Sequence, residues 1–194
     1  MNQKLQAKDF ITIGVYTAIM LVVCMAISML GFIPVFIPLL TVLVPLIAGI
    51  PFMLYTTKAR KFGMTTIMGL LIGLVFTAMG HGIWAIVIGA VSGLLSDLIM
   101  KSGQYSSSKK ACLGCSVFFL WIIGNFLPII FTRDQYYAQL VEGGYGAEYA
   151  DALMKLIPDW SLIPLILATL VFGYLGGLLG KKMLSKHFKR AGMV

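Results

Sequence analysis

Six long apolar runs, separated by short polar segments, limit the folds open to this chain more than any other feature of its sequence. The runs are residues 10–30, 32–57, 62–79, 83–100, 111–132 and 160–180. About 20 apolar residues in a row are enough for a helix to cross a bilayer, whereas the strands of a membrane barrel would alternate apolar and polar residues. We therefore expect an all-α membrane protein in which residues 1–194 form one domain, a bundle of six transmembrane helices.

The composition excludes the common soluble and disordered classes. Hydrophobic residues make up 59% of the chain and charged residues only 11%, whereas soluble domains contain about 25% charged residues and disordered chains contain few apolar ones. A net charge of +8 is also found in nucleic-acid-binding proteins. In so apolar a chain we assign this charge to membrane topology, and we expect no nucleic-acid partner.

The cationic residues fall almost entirely on one side of the predicted bundle. Thirteen of the fifteen Lys and Arg residues precede the first run, lie between the second and third or the fourth and fifth runs, or follow the sixth. Arg133 and Lys155, between the fifth and sixth runs, are the exceptions. Because cytoplasmic loops are rich in Lys and Arg, we expect both termini in the cytoplasm and residues 133–159 outside the cell.

The second run contains four prolines, at positions 34, 38, 45 and 51. Proline lacks the N–H that a helix needs and clashes with the preceding turn. This run is therefore predicted to be kinked or partly unwound.

The polar segment Arg133–Asp159 has features of an extracellular lid between the fifth and sixth helices. It contains Tyr136, Tyr137, Tyr145 and Tyr149, and residues 147–157 place Tyr149, Leu153, Leu156 and Ile157 on one helical stripe. An amphipathic helix of this kind either lies in the membrane interface as an anchor or folds over the bundle. Gly143, Gly144 and Gly146 would supply the hinge of such a lid.

Few polar residues lie within the apolar runs. His81, between two glycines at the outer end, is either a solvated turn residue or a ligand to a metal. Asn125 could bind a ligand or hold two helices together. Asp97 could pair with Lys101 four residues later, or take part in proton coupling.

No catalytic motif or nucleotide-binding motif is present, so we expect neither an enzyme nor a cofactor of the protein's own. We predict instead a ligand site in the outer half of the bundle, under the lid. Its few charges favour a largely apolar or planar ligand, either haem, with His81 as the iron ligand, or a metal-free vitamin. The predicted binding residues are Met29, Phe36, Met79, His81, Trp84, Asn125, Tyr136 and Tyr149.

Small residues recur at helical spacing in several runs. Gly69 with Gly73, Gly89 with Gly93 and Gly173 with Gly177 are pairs of the kind that lets two helix backbones approach closely within a bundle. In the first run Gly14, Ala18 and Ala26 share one stripe, interrupted by Val22. That stripe could contact another membrane protein.

Three segments resemble a known family of transport proteins. They are residues 9–18 (DFITIGVYTA), residues 89–97 (GAVSGLLSD) and residues 124–126 (GNF). With six spans and about this length, the whole chain resembles the substrate-binding S-components of energy-coupling factor (ECF) transporters. It is most similar to their Trep_Strep, or MptD-like, branch.

The resemblance implies a multi-pass protein of the bacterial cell membrane that captures a micronutrient outside the cell. It implies three partners, a membrane scaffold subunit and two ATPase subunits, which drive release of the ligand inside as the whole bundle topples in the bilayer. S-components carry an Ala-x-x-x-Ala stripe on the first helix where they meet the scaffold, and Gly14 and Ala18 fit that stripe. The alternative is a self-contained small secondary transporter or channel, which would be expected to show inverted repeats with broken helices.

Overall fold

The computed structural model describes residues 4–190, and every regular element in that range is helical. The α-helices are α1 (Ala7–Ser28), α2 (Phe36–Thr56), α3 (Met64–Phe76), α4 (Trp84–Ser102), α5 (Ser108–Phe118), α6 (Leu127–Phe131), α7 (Arg133–Glu142), α8 (Ala147–Leu156), α9 (Leu162–Met183) and α10 (Ser185–Arg190). Short 3-10 turns (Met29–Phe32, Phe119–Asn125, Asp159–Ser161) and a π-helical turn (Thr77–His81) join some of them. The predicted all-α class is confirmed.

Five helical segments are long and apolar enough to cross a membrane. They are Ala7–Phe32, Phe36–Thr56, Met64–His81, Trp84–Ser102 and Asp159–Met183. These segments confirm the membrane protein, but the fifth apolar run of the sequence is not among them. That run is interrupted, because α5 ends at Phe118 and a 3-10 turn precedes α6. Pro128 lies at the start of α6, where its missing N–H costs little.

The interrupted segment nevertheless runs antiparallel to the full length of α4. Near the start of the segment the Ser96 hydroxyl donates to the Gly114 carbonyl over 2.8 Å. Near its end, a Cβ atom placed on Gly124 would lie 2.9 Å from the Trp84 carbonyl oxygen. Residues 4–190 therefore pass along the bundle six times. The number of membrane spans, six, and the location of both termini in the cytoplasm stay predictions.

Helix α2 is continuous from Phe36 to Thr56, so it is not unwound at Pro45 or Pro51, while the kink predicted as the other alternative stays a prediction. Pro34 precedes the helix and Pro38 lies in its first turn, where a missing N–H costs little. Pro45 and Pro51 lie inside it. Helix α9 packs against α2 at this level, since a Cβ atom on Gly176 would lie 2.2 Å from the Pro45 carbonyl oxygen. Packing by a neighbouring helix is what makes proline tolerable within a membrane helix.

Glycines set the spacing between the helices. A Cβ atom on Gly69 would lie 2.2 Å from the Gly89 carbonyl oxygen, and one on Gly173 would lie 2.9 Å from Ser116 Cα. These distances confirm that the predicted small-residue pairs bring backbones together. Gly49, which faces Gly176 in the same way, was not predicted, because the residues four positions before and after it, Pro45 and Met53, are not small.

One end of the bundle collects the cationic residues, and we call it the basic end. Here Lys61 Nζ lies 2.6 Å from Asp9 Oδ2, and Lys101 Nζ lies 4.6 Å from the centre of the Phe62 ring. We call the opposite end, which α7 and α8 cover, the lid end.

Asp97, near the basic end, does not form the predicted pair with Lys101. Its Oδ2 accepts hydrogen bonds from the backbone N–H of Gly63 (3.0 Å) and of Thr66 (2.8 Å) and from the Thr66 hydroxyl (2.7 Å). Gly63, the N-cap residue just before α3, has no side chain to accept hydrogen bonds from these donors. Asp97 therefore caps α3 from α4, which is a structural role.

Candidate ligand-binding site

A cavity of about 380 Å³ lies at the lid end of the bundle. Its walls come from the end of α1, the first turns of α2, the end of α3 with the π-helical turn, and the segment that contains residues 121–129. Helices α7 and α8 form the wall of the cavity on the side farthest from the bundle. A volume of this size falls within the range of about 300–1,000 Å³ found for small-molecule pockets.

Six of the eight predicted binding residues line this cavity. They are Met29, Met79, His81, Asn125, Tyr136 and Tyr149. Trp84 lies instead on a smaller neighbouring cavity of about 220 Å³, which also includes His81. Phe36 is not among the lining residues; the neighbouring Ile37 takes that place, because successive residues of a helix point in directions about 100° apart.

Aromatic side chains form much of the wall, and the sequence analysis missed five of them: Phe32, Phe76, Trp121, Phe126 and Tyr145. The rings of Phe76 and Trp121 have their centres 4.9 Å apart, and the ring of Phe32 stacks on that of Tyr145 at 6.4 Å. A hydropathy profile counts such residues only as members of an apolar run and does not show which way their side chains face. Only their helical phase, which the 3-10 turn at Phe119–Asn125 alters, could have shown that they face one cavity.

The π-helical turn at Thr77–His81 positions His81. Gly80 and Gly82 have φ angles of 95° and 79°, a left-handed conformation that glycine adopts at little cost. The Thr77 hydroxyl donates to the Gly82 carbonyl over 2.8 Å and closes the turn. The imidazole of His81 then lies edge-on to Phe76, with ring centres 5.2 Å apart. His81 is half-buried and lines the cavity, so it is not a freely solvated turn residue.

Three buried polar atoms of the cavity wall have no hydrogen-bond partner among the residues that the structure describes. They are His81 Nδ1, Trp121 Nε1 and Asn125 Oδ1. Buried polar groups in folded proteins almost always have a partner, and leaving one without costs about 1–3 kcal/mol. The residues of the cavity wall therefore include three polar atoms that neither a protein group nor solvent satisfies.

Within residues 4–190, the lining of the cavity includes no Asp, Glu, Lys or Arg. Burial raises the pKa of Tyr149 to about 12 and also raises that of Tyr136. Both phenols therefore keep their protons at neutral pH, and the cavity presents only uncharged groups apart from His81.

Two polar contacts fix the lid over the cavity. The Tyr149 hydroxyl in α8 donates to the Gly31 carbonyl, between α1 and α2, over 2.6 Å. At the other end of α8, the Arg133 guanidinium donates to the carbonyls of Met154 and Ile157 (2.9 Å for Ile157). Positive charge at the C-terminal end of a helix is stabilising. Arg133, a cation on the predicted outer side, thus joins the start of α7 to the end of α8.

The apolar face of α8 packs onto the bundle. Ala150, Leu153 and Ile157 are buried, while Leu156, predicted on the same stripe, is 40% exposed. Of the two alternatives for the amphipathic segment, this packing favours the lid.

Helix α1 is the least buried of the five long apolar segments. Gly14 and Ala18 are exposed on it, and a Cβ atom on Gly14 would have no heavy atom within 4 Å. This glycine therefore serves no helix contact within the described chain, in contrast to Gly69 and Gly89.

A metal site built from several side chains is absent from residues 4–190, since no group of three or more His, Cys, Asp or Glu residues converges there. Of the two unpaired nitrogens in the cavity wall, those of His81 and Trp121, only the imidazole nitrogen is of a kind that ligates a metal. His81 is therefore the residue that could hold the iron of a haem bound as cargo.

Comparison with known proteins places the chain in a membrane protein family. The model of a family described as "hypothetical bacterial integral membrane protein (Trep_Strep)" matches residues 7–190. No curated protein and no solved structure matches the chain.

Proposed function

The chain belongs to the Trep_Strep family of bacterial integral membrane proteins, and we propose that it is the substrate-binding S-component of an ECF-type importer. In this proposal it captures a micronutrient at the lid end, and a scaffold subunit with two ATPases drives its release into the cell. The observation that carries the proposal is the cavity beneath α7 and α8, which is lined largely by aromatic side chains and, within residues 4–190, by no Asp, Glu, Lys or Arg. Such a cavity is suited to holding one small molecule.

The packed core between the cavity and the basic end favours the S-component, which captures a ligand, over a channel, which would conduct it. Phe52, Phe118 and Phe119 are fully buried between the cavity and the basic end. The rings of Phe52 and Phe118 have their centres only 4.4 Å apart. A ligand could not cross this packed layer without extensive rearrangement. Movement of the whole bundle, as in toppling, would carry the ligand inward without opening this packed layer.

The second support for the proposal concerns the source of energy for transport. The sequence has no nucleotide-binding motif, and Asp97, the buried acid of α4, is engaged in capping α3. A transporter that used a proton gradient would be expected to have an intramembrane ionisable residue available for relay. The protein thus depends on partners for energy, and the exposed Gly14 and Ala18 provide a surface on which a scaffold helix could pack closely.

The size of the cavity bears on the ligand. At about 380 Å³ it lies near the lower limit of small-molecule pockets, roughly 300 Å³, which favours a ligand of vitamin size over a tetrapyrrole. Haem, the other ligand predicted from the sequence, is tested by titrating the purified protein with haemin. If haem binds through His81, His81→Ala will shift the Soret band and weaken binding strongly, while Met79→Leu, at the same wall, will leave the band in place.

The function is tested by purification and reconstitution. The tagged protein, extracted from its bacterium in mild detergent, should bring with it one further membrane protein and two ATPases, identified by mass spectrometry. The compound released from the purified protein is identified by mass and absorbance, and its uptake is measured in liposomes. We expect uptake only with all subunits and ATP. Uptake by the isolated chain without ATP would instead establish the self-contained transporter.

A further inference from the structure

The exposed residues of the cavity lining mark where the cavity reaches the surface of the protein. Resting on the proposed function, we propose that the cavity opens sideways into the lipid bilayer between α1 and α3, and that its ligand is an uncharged, lipophilic molecule taken up from the membrane. Two features carry this proposal: the places of the exposed lining residues along α1 and α3, and the absence of charged residues from the lining within residues 4–190.

Five residues of the lining are exposed: Met25, Met29, Phe32, Met79 and Tyr145. A side chain that both lines a cavity and is exposed lies where the cavity approaches the surface. The rings of Phe32 and Tyr145 stack on each other, so these two side chains cover the cavity at the edge of the lid. The opening therefore lies at the three methionines, which are 37% (Met25), 66% (Met29) and 53% (Met79) exposed.

The helical phase of α1 places Met25 on the side that faces α3. The ring of Tyr16 on α1 has its centre 5.5 Å from that of Tyr55 on α2, so Tyr16 lies on the side of α1 that faces α2. Met25 follows Tyr16 by nine residues, about 2.5 turns of an α-helix, which puts it on the opposite side. The other long helix that packs against α1 is α3, and Met79 lies in the π-helical turn that continues α3. The opening is therefore bordered by α1 and α3.

The opening lies within the membrane-type part of both helices. Met25 and Met79 belong to the apolar segments Ala7–Phe32 and Met64–His81, each long enough to cross a bilayer. Met25 is seven residues from the end of the first segment, about 10 Å along a helix. Val22, nearly one turn further from the lid, is also exposed, as expected for a side chain that faces lipid. A molecule that reaches the opening at Met25 therefore comes from the acyl chains of the bilayer.

The route and the lining select the same class of ligand. A charged group is costly in hydrocarbon, and within residues 4–190 the lining has no Asp, Glu, Lys or Arg to pair with it. An uncharged molecule avoids this cost, and the rings of Phe76 and Phe126 supply apolar surface inside the cavity. The methionines at the opening are flexible and unbranched, so they can move aside as such a molecule enters.

The test compares two photoreactive probes with the same skeleton. Benzophenone is uncharged and lipophilic, and 4-benzoylbenzoate adds only a carboxylate. The protein, freed of its co-purified compound, is placed in lipid nanodiscs and illuminated, and adducts are located by peptide mass spectrometry. Trp121, Phe126 and Ile129 are buried residues of the lining, so an adduct on any of them reports a probe inside the cavity. We expect benzophenone to label them at least about tenfold more than 4-benzoylbenzoate does, because the carboxylate would be buried without a partner.

Variants at the opening test the route. Met25→Trp places a larger side chain there, so labelling of the three buried residues shortly after mixing should fall several-fold. Val22→Trp, at an exposed position of α1 outside the lining, is the matched control and should be labelled as the wild type is. Thermal unfolding checks that each variant is folded, and Met29→Trp replaces Met25→Trp if the latter is not.

Three results would overturn the proposal. They are equal labelling by the two probes, no benzophenone adduct on the buried lining, and wild-type labelling in a folded variant of the opening. Failure here is distinguishable from failure of the S-component role, because assembly with a scaffold and ATP-dependent uptake are measured without these probes. A protein that assembles and imports but excludes benzophenone would refute only the lateral opening and the ligand class.

Discussion

The hydroxyl of Tyr149 lies 2.6 Å from the carbonyl oxygen of Gly31, although the two residues are 118 positions apart in the chain. Gly31 lies in the turn between α1 and α2, and Tyr149 lies in the first turn of α8. This hydrogen bond joins the lid to the bundle at the edge of the cavity, and both residues line that cavity. This single hydrogen bond therefore links α8 directly to the turn between α1 and α2.

Loss of this contact should loosen the lid. Tyr149→Phe removes the hydroxyl alone, and we expect the ligand to dissociate several-fold faster, in line with about 1 kcal/mol for one hydrogen bond. The measurement is the dissociation rate of the co-purified compound from detergent-solubilised protein. Tyr137→Phe is the matched control, because its hydroxyl donates to Asp151 within the lid over 3.2 Å. Equal dissociation rates in wild type and Tyr149→Phe would show that this contact does not hold the lid closed.

Glycines in the bundle should differ sharply in their tolerance of alanine. A Cβ atom on Gly89 would lie 2.5 Å from the Gly69 carbonyl oxygen, whereas one on Gly14 would meet nothing within 4 Å. We expect Gly89→Ala to lower the free energy of unfolding by about 1–3 kcal/mol through overpacking. Gly14→Ala should leave it unchanged or raise it by up to about 1 kcal/mol through helix propensity. Unfolding by denaturant in detergent measures both, and equal effects would contradict the close approach of α3 and α4.

Asp97 should contribute to stability and not to binding. Asp97→Ala leaves the N–H groups of Gly63 and Thr66 without their acceptor, so we expect a loss of about 1–3 kcal/mol in the free energy of unfolding. Lys101→Ala should have little effect, because Lys101 lies over the Phe62 ring and is largely exposed. Denaturant unfolding and ligand titration are measured on the same samples. A variant that is fully stable but unable to bind or transport would give Asp97 a direct functional role.

The exposed stripe of α1 should matter for assembly alone. Ala18→Trp places a large side chain where close backbone approach is expected, so the amount of scaffold and ATPases that co-purifies should fall several-fold while ligand binding by the isolated protein stays intact. Val171→Trp, at a position of α9 that is 54% exposed, is the control for any exposed tryptophan. If the two variants assemble equally well, α1 is not the contact surface.

The orientation of the protein in the membrane can be tested directly by cysteine labelling. Single cysteines at Glu148 in the lid and at Ser106 near the basic end are both at exposed positions, while the native Cys24, Cys112 and Cys115 are buried. In intact cells a membrane-impermeant maleimide should label Glu148→Cys, and it should label Ser106→Cys only after permeabilisation. The reverse pattern would place the lid in the cytoplasm.

Local features of this protein follow closely from its sequence. Five of the six apolar runs correspond to helical segments long enough to cross a membrane, and the small-residue pairs indicate the kind of close backbone approach that Gly69 and Gly89 make. The amphipathic stripe around Leu153 predicts α8. Each of these depends on spacing within one segment, which sequence periodicity records directly.

Predictions that depended on a distant partner were less successful. The prolines at 45 and 51 do not unwind α2, because α9 packs against it, and the break lies instead in the fifth run. Asp97 caps α3 and does not pair with its own helix. In both cases a residue more than thirty positions away supplies the atoms that decide the outcome.

The sequence by itself determined that this chain is a helical membrane protein, because continuous apolar runs of this length are stable only as helices in a bilayer. The tertiary structure alone decided which side chains face the cavity. The 3-10 turn at Phe119–Asn125 and the left-handed glycines beside His81 change the phase of their segments, so no single helical period relates Trp121, Asn125 and His81. The three line one cavity because the π-helical turn after α3 and the 3-10 turn after α5 both border it, and that convergence is a property of packing in three dimensions.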